Sequence, residues 1–273
     1  MTTDANEFEI AAIQMVSSSQ AQENMARAAT LIAQAASAGA QLVLLPEYFC
    51  IMGQHDHDKL HLKETEGTGP LQDFLASQAK QHQVWLIGGT IPLKSPDADR
   101  IYNACLVYDP QGNQQARYDK IHLFGFDNGR EVFQESDTIM AGSAQPVVVP
   151  TPAGPVGLSV CYDLRFPELY RVMGEVSLIV VPSAFTYTTG KAHWEVLLRA
   201  RAIENQCYVL AAAQGGKHTS GRRTWGHSIL IDPWGTVMDC LPEGEGIVRG
   251  TLSQDRLARV RRALPALTHK TMV

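Results

Sequence analysis

Three residues with complementary chemistry each follow a short apolar segment of this 273-residue chain. Cys161 comes directly after the apolar run 156–160, Glu47 comes after the run 42–45, and Lys120 follows a third such segment. The ends of strands in α/β folds are where reacting groups are commonly placed. A thiol, a carboxylate and an ammonium group can serve one reaction as nucleophile, proton acceptor and stabiliser of a negative oxygen. The three residues are therefore a candidate catalytic set, although their spacing alone does not bring them together.

Each of the three residues also has an ordinary structural explanation. Free cysteine is among the most buried residue types, so Cys161 could be a core residue. Glu47 could be a solvated carboxylate at a strand end, and Lys120 a surface charge. The functional interpretation of Glu47 depends on the cost of burying a carboxylate without a partner. The functional interpretation of Cys161 depends on a helix predicted to start near Pro167. The amide groups at the start of such a helix favour a thiolate.

Strand-like and helix-like segments alternate along the chain. Several apolar segments show little alternation between apolar and polar residues, which is typical of strands covered on both faces. The pattern predicts one α/β domain. The predicted helices cover residues 24–38, 70–81, 193–206 and 254–262, with a short helix starting near Pro167.

Two segments carry more specific predictions. In the third predicted helix Val196, Leu197, Ala200 and Ile203 share one stripe, which predicts an amphipathic helix with these residues on its core face. Residues 120–141 form the longest segment without a predicted element. Long irregular segments of compact domains usually have a function, so this loop is expected to contribute to the site.

Composition excludes several classes of protein. A formal net charge of −5 gives the chain no general attraction for nucleic acid or an anionic membrane surface. The five cysteines include no CxxC pair, so neither a disulfide framework nor a thiolate zinc site is predicted. The acidic N-terminus lacks the apolar stretch of a signal peptide, and the longest apolar run is too short to span a bilayer. We therefore expect a cytoplasmic protein.

Three motifs in this order resemble the nitrilase superfamily of carbon–nitrogen hydrolases, and the resemblance extends over about residues 8–262. It implies that Glu47 is the general base, Lys120 the oxyanion stabiliser and Cys161 the nucleophile. It also implies a four-layer αββα sandwich that pairs into a homodimer, one catalytic domain over residues 1–273 with a tail at 263–273, and neither metal nor cofactor. The motifs are LLPEYF, YDKIHLF and SVCYDLRFPELYR, followed by PSAFTYTTGKAHWEVLLRARAIENQCYV and GHSILIDPWGTV.

The resemblance extends to further site residues. A second active-site glutamate is expected at Glu135, in the segment VFQES, with Glu131 as the alternative. Arg165 is expected to pair with a substrate carboxylate, since its guanidinium fork suits that task; the alternative is a structural ion pair with Glu168. The backbone N–H of Tyr162 is expected to assist Lys120 in holding the oxyanion.

The residues that follow the nucleophile bear on the substrate. Tyr-Asp after Cys161, where nitrilases more often have Trp-Glu, favours an amide over a nitrile. The closest branch contains deaminated glutathione amidase and ω-amidase, and the segment AAAQGGKHTSGRRTWGHS resembles the first more. Thr189 and the pair Arg222 and Arg223 are weaker candidates for the substrate pocket.

The expected reaction is cofactor-free hydrolysis of a small amide that carries a carboxylate. It proceeds through a thioester on Cys161 and releases ammonia and a carboxylic acid. Two alternatives from other classes stay open. The chain could be a non-catalytic, dimerising member of the family, or a metal-dependent amidohydrolase that uses the cluster His55–His61.

Overall fold

The computed structural model describes residues 6–129 and 132–271, which form two large sheets with helices on both outer sides. The first sheet has the strand order β15-β1-β2-β3-β5-β4, with β6 paired to β5. The second has the order β14-β13-β12-β11-β10-β9, and β7 pairs with β8 in a separate hairpin. The strands are β1 (Glu7–Gln14), β2 (Leu42–Leu44), β3 (Trp85–Ile87), β4 (Ile91–Lys94), β5 (Ile101–Tyr108), β6 (Gln114–Asp119), β7 (Gly125–Asp127), β8 (Val132–Gln134), β9 (Val148–Thr151), β10 (Gly154–Leu158), β11 (Leu178–Ser183), β12 (Tyr208–Ala213), β13 (Ser228–Ile231), β14 (Val237–Leu241) and β15 (Gly246–Ser253).

Five α-helices cover the sheets: α1 (Ala21–Ser37), α2 (Pro70–His82), α3 (Pro167–Val172), α4 (Tyr187–Asn205) and α5 (Gln254–Ala263). The starts of two of them follow from local chemistry. Pro70 occupies the first turn of α2, where its missing N–H removes no helical hydrogen bond. Ser253 caps α5 by accepting a hydrogen bond from the N–H of Arg256.

The core has the layering of an αββα sandwich. Inner-face residues such as Ile10 and Leu44 of the first sheet pack in one cluster with Leu158 and Val180 of the second. The outer face of the first sheet packs against α1 and α2 in a separate cluster. On the other side, α3 and α4 cover the second sheet. Every residue of β11 and β12 is buried, which explains why their sequences show no alternation. The predicted four-layer α/β fold is thereby confirmed.

The prediction for the third helix was wrong in two respects. Helix α4 starts at Tyr187, six residues before the predicted start, because Thr186 caps it. Its predicted core stripe is on the outside: Val196 is 70% and Ile203 50% exposed. The buried face includes Trp194 and the polar Arg201, whose guanidinium donates to the carbonyl oxygen of Leu164. Apolar periodicity missed this face because hydrogen bonds allow polar residues on it.

The segment 120–141 is more ordered than the sequence predicted. It contains the hairpin β7–β8 and a 3₁₀ turn, Glu135–Asp137. The backbone N–H of Glu135 donates to the carbonyl oxygen of Phe124, which fixes the turn beside the start of the segment. This arrangement brings Glu135 back towards Lys120.

Candidate active site

Glu47 lies three residues after β2, in a turn that is completely enclosed. Its carboxylate is 1% exposed and accepts hydrogen bonds from Asn103 Nδ2 at 2.9 Å and from the Ala184 backbone N–H at 2.9 Å. The neighbouring chain approaches very closely: a Cβ on Gly89 would lie 2.1 Å from the carbonyl oxygen of Pro46. Gly89 also has a φ of +57°, so a glycine is required there for two reasons. Glu47 is therefore a buried, fixed carboxylate.

Lys120 follows β6 and forms the centre of a buried ion cluster. Its Nζ atom lies 2.9 Å from Glu47 Oε1 and 2.8 Å from Glu135 Oε2, and its side chain is fully buried. Burial by itself would lower the pKa of Lys120, but Glu135 and Glu47 together raise it well above its usual value. Lys120 is therefore a permanent cation in a site shielded from water.

Glu135 is the second carboxylate of this cluster. It accepts the backbone N–H of Phe124 at 2.7 Å and the Tyr48 hydroxyl at 3.0 Å. Burial opposes ionisation, but Lys120 and that backbone N–H hold the pKa of Glu135 below its ordinary value. The alternative residue, Glu131, lies outside the described residues.

Cys161 begins a 3₁₀ turn, Cys161–Arg165, that directly precedes α3. Its φ of +50° is unusual for a non-glycine residue and is the kind of strained backbone found at functional sites. Its side chain lines a narrow cavity together with Glu47 and Glu135. Burial raises the pKa of the Cys161 thiol well above its ordinary value and Glu47 raises it further, whereas Lys120 lowers it. Burial and the carboxylates therefore oppose the thiolate, and Lys120 favours it.

Asp163 anchors the turn that carries Cys161, a role that residue type and spacing did not predict. It is fully buried and accepts hydrogen bonds from the backbone N–H groups of Val160 and His122, at 2.8 and 3.0 Å. The Tyr118 hydroxyl donates to it at 2.6 Å, and Nδ1 of His122 lies 2.7 Å away. A carboxylate with this many partners ties the segment 118–122, which carries Lys120, to the nucleophile turn.

Replacing Asp163 with Ala is expected to lower the free energy of unfolding by about 3 kcal/mol, because several buried donors lose their acceptor together. Urea denaturation measures this change. The same substitution at the exposed Asp99 is the control and should change the value by no more than about 0.5 kcal/mol. Equal effects of the two substitutions would show that Asp163 does not anchor the turn.

Arg165, Tyr162 and Thr189 line the same narrow cavity as Cys161. Among the described residues, no carboxylate forms a salt bridge with Arg165, so the alternative ion pair with Glu168 is absent. Its guanidinium lies 5.7 Å from the Tyr162 ring centroid, and Nη1 is 3.2 Å from His193 Nδ1. Thr189 is buried in the first turn of α4.

The two weaker candidates differ in position. Arg222 lines both the narrow cavity and a larger neighbouring cavity, whereas Arg223 lines only the larger one and pairs with Glu243 at 2.7 Å.

The metal-dependent alternative finds no support in the described residues. No group of three or more potential metal ligands converges there, in the His55–His61 segment or elsewhere. Among residues 6–129 and 132–271, no helix is long and apolar enough to cross a membrane.

Comparison with known proteins gives the same family as the motifs. A protein from Synechocystis sp. named deaminated glutathione amidase is 41% identical over 268 residues, which cover 96% of this chain and 98% of the relative. The mouse ω-amidase is 38% identical, with 96% of this chain and 95% of that protein covered. The crystal structure of the C. elegans NitFhit protein superimposes with a TM-score of 0.90 at 37% identity; the match covers 97% of this chain but 65% of that one. The carbon-nitrogen hydrolase family model matches residues 9–262, so the chain belongs to the carbon-nitrogen hydrolase family.

Proposed function

We propose that the protein hydrolyses a small carboxylate-bearing amide through a thioester on Cys161, with Glu47 as the base and Lys120 as the oxyanion stabiliser. The observation that carries this proposal is the buried cluster in which Lys120 bridges Glu47 and Glu135 beside the cavity that contains Cys161. A cluster of this kind is expensive to bury without a task, since replacing it with apolar residues is often neutral or stabilising.

The first step is attack of the sulfur on the amide carbon. Burial and Glu47 raise the pKa of the thiol, so we assign its proton to Glu47 as the S–C bond forms. Glu47 Oε1 is occupied by Asn103 and Lys120, whereas Oε2 accepts only the Ala184 N–H among the described residues. We assign proton transfer to Oε2, which has a lone pair to spare.

The carbonyl oxygen becomes an anion in the tetrahedral intermediate. Lys120 supplies a fixed positive charge for it, and the N–H of Tyr162, which has no hydrogen-bond partner among the described residues, supplies a second donor. Glu135 holds the ammonium of Lys120 from the other side, so it positions the stabilising charge.

Collapse of the intermediate breaks the C–N bond. Glu47 returns the proton to the leaving nitrogen, which departs as ammonia from a primary amide or as a free amine from a peptide-like amide. Water, deprotonated by the same carboxylate, then attacks the thioester and releases a carboxylic acid and the thiol. Atoms and protons balance without a cofactor.

For the substrate, we propose deaminated glutathione, in which a keto group replaces the amino group of glutathione. Support comes from the relatives of that name and from Arg165, a cation without a carboxylate partner among the described residues, next to the nucleophile. The substrate of an ω-amidase, a primary amide without the peptide extension, is the second candidate, since the mouse ω-amidase is almost as similar.

A substrate panel tests this proposal. Deaminated glutathione, α-ketoglutaramate, a simple aliphatic amide and a nitrile are compared by kcat/KM with the same preparation. We expect kcat/KM to decrease in that order, with no hydrolysis of the nitrile. A metal-independent amidase keeps its rate in excess chelator, so a loss of activity there, or a preference for the nitrile, would overturn the proposal.

Replacing Arg165 with Met is expected to raise KM for carboxylate-bearing amides by about 10-fold or more, since a charge-assisted hydrogen bond contributes about 1.5–3 kcal/mol. A neutral amide lacks the matching carboxylate and should be affected by less than about twofold. The control is Arg171, whose Nη1 donates to the carbonyl oxygen of Glu204 and which does not line the active-site cavity. Equal losses on charged and neutral amides would remove the assignment.

We also propose that the chain pairs with a second copy of itself through its α3–α4 side. Val172, Val196, Ile203 and Trp234 are each at least half exposed there, an arrangement typical of an interaction surface. Replacing Val196 with Glu should lower the sedimentation coefficient to that of a single chain. A wild-type protein that is already monomeric at micromolar concentration would refute the pairing.

The thiol chemistry supports the cytoplasm as the compartment in which the protein works. The described cysteines are all unpaired, and Cys161 acts only while it is reduced. We therefore infer a reducing compartment.

A further inference from the structure

A second, much larger cavity adjoins the narrow cleft at the nucleophile. It has a volume of about 610 Å³, whereas the cleft beside Cys161 leaves about 10 Å³, room for roughly one water. Arg222 lines both spaces, and Tyr48, on the wall of the larger one, donates a hydrogen bond to Glu135 of the cleft. The two spaces are therefore neighbours, separated by the side chain of Arg222.

The walls of this cavity are cationic. Three lysine and arginine side chains line it, Lys59, Arg222 and Arg223, together with two histidines and, among the described lining residues, a single carboxylate, Asp56. Arg223 is neutralised by Glu243. The other two cations, by contrast, form no salt bridge with any carboxylate in residues 6–129 and 132–271.

Lys59 and Arg222 contact aromatic rings instead, and Nη2 of Arg222 also donates to the carbonyl oxygen of Ala184 at 3.5 Å. The ammonium of Lys59 lies 5.5 Å from the ring centroid of Tyr48, and the guanidinium of Arg222 lies 5.1 Å from that of Phe133. Burial lowers the pKa of Lys59, and the nearby carboxylates of Glu135 and Asp56 act in the opposite direction without outweighing it.

Two buried polar atoms on the same wall also lack partners. The Nε atom of Arg222 and the Oγ atom of Ser220 are inaccessible to solvent and make no hydrogen bond within the described structure. An arginine Nε can only donate, so Arg222 has one donor that its own chain leaves unsatisfied. Because both atoms are closed to solvent, a ligand in the cavity reaches them only if these side chains shift.

We propose that this cavity is a leaving-group subsite, in which Lys59 and Arg222 bind the terminal carboxylate of a peptide-like amine on the departing side of the scissile amide. The inference rests on the proposed function, since it assumes attack by Cys161 on an amide. Arg165 then binds the acyl side, so the site accepts a substrate with an anionic group on each side of the bond. The terminal glycine carboxylate of a deaminated glutathione fulfils this requirement, whereas α-ketoglutaramate has no group for the second subsite.

The first test compares two substrates that differ in one group. Deaminated glutathione and its C-terminal carboxamide have the same length and the same acyl half, but the second lacks the terminal charge. We expect the wild-type protein to prefer the carboxylate by about 10-fold or more in kcat/KM. Equal rates on the two substrates overturn the proposed subsite.

The second test removes one cation of the cavity. Lys59→Met should reduce kcat/KM for the carboxylate substrate by about 10-fold and leave the carboxamide and α-ketoglutaramate within about twofold of wild type, so the ratio of the two peptide substrates approaches one. Lys59→Arg keeps the charge and should restore most of the preference. Lys80→Met removes an exposed charge that does not line the cavity, and serves as the matched control.

The outcomes separate this inference from the proposed function. A wild-type protein that hydrolyses all three amides but does not discriminate the terminal charge retains its function and lacks the subsite. An equal loss on all substrates in Lys59→Met would show that Lys59 supports the fold or the cleft, which also overturns the subsite. Failure of the wild-type protein to hydrolyse any amide would overturn both.

Discussion

Replacing Cys161 with Ala is expected to lower kcat/KM for amide hydrolysis by about 100-fold or more while leaving the folded structure intact. The sulfur forms the only covalent bond to the substrate in the proposed mechanism, and alanine cannot form one. The change removes one buried atom beside a cavity, so its effect on packing is small. Steady-state kinetics and the midpoint of thermal unfolding measure the two quantities.

The same substitution at Cys240 is the matched control. Cys240 is the one exposed thiol among the described cysteines and lies in β14, on a strand that lines no part of the active-site cavity. Its replacement by Ala should leave kcat/KM within about twofold of wild type.

Residual activity above a hundredth of wild type in the Cys161 variant would contradict the nucleophile assignment. An acyl adduct detected by intact mass in the wild-type protein, and absent from the variant, would support it.

Replacing Glu47 with Gln is expected to change two rates in opposite directions. Hydrolysis should slow by about 100-fold or more, because the base serves both acylation and deacylation. Alkylation of Cys161 by iodoacetamide should become faster at a given pH, because Glu47 is one of the groups that raise the pKa of the thiol. With that carboxylate gone and Lys120 still held by Glu135, the thiolate forms at a lower pH.

The pH dependence of alkylation, followed by mass spectrometry on the intact protein, measures this shift. Glu64→Gln is the control, since Glu64 is also a buried carboxylate but caps α2 through the backbone N–H groups of Leu71 and Gln72. It should leave the alkylation profile of Cys161 unchanged. An unchanged profile in Glu47→Gln, or hydrolysis at the wild-type rate, would contradict the electrostatic arrangement proposed here.

Prediction from the sequence was accurate where local pattern determines structure. Pro70 and Gln254 start helices within one residue of the structural boundaries, because a proline and a capping serine act within a single turn. Strands covered on both faces were recognisable from their continuous apolar runs, such as 178–181. The stripe on α4 was misjudged because the burial of Arg201 depends on a carbonyl 37 residues away in the chain.

The candidate site likewise contains residues that local pattern predicts and residues that only distant contacts identify. Glu47, Lys120 and Cys161 could be selected by residue type and by their positions after apolar segments, and the family motifs gave them roles. Asp163 could not be selected in this way, because its partners Tyr118 and His122 are more than 40 residues away in the chain.

The sequence by itself determined the family and the layered α/β architecture, and it selected three candidate reactive groups, since these depend on residue types and order along the chain. Only the tertiary structure decided the direction in which the pKa of the thiol is shifted and the existence of a cationic cavity beside it. Both depend on the burial of charges and on distances between segments far apart in sequence, such as 2.9 Å between Lys120 and Glu47. Electrostatic energies vary steeply with distance and burial, and a linear pattern contains neither.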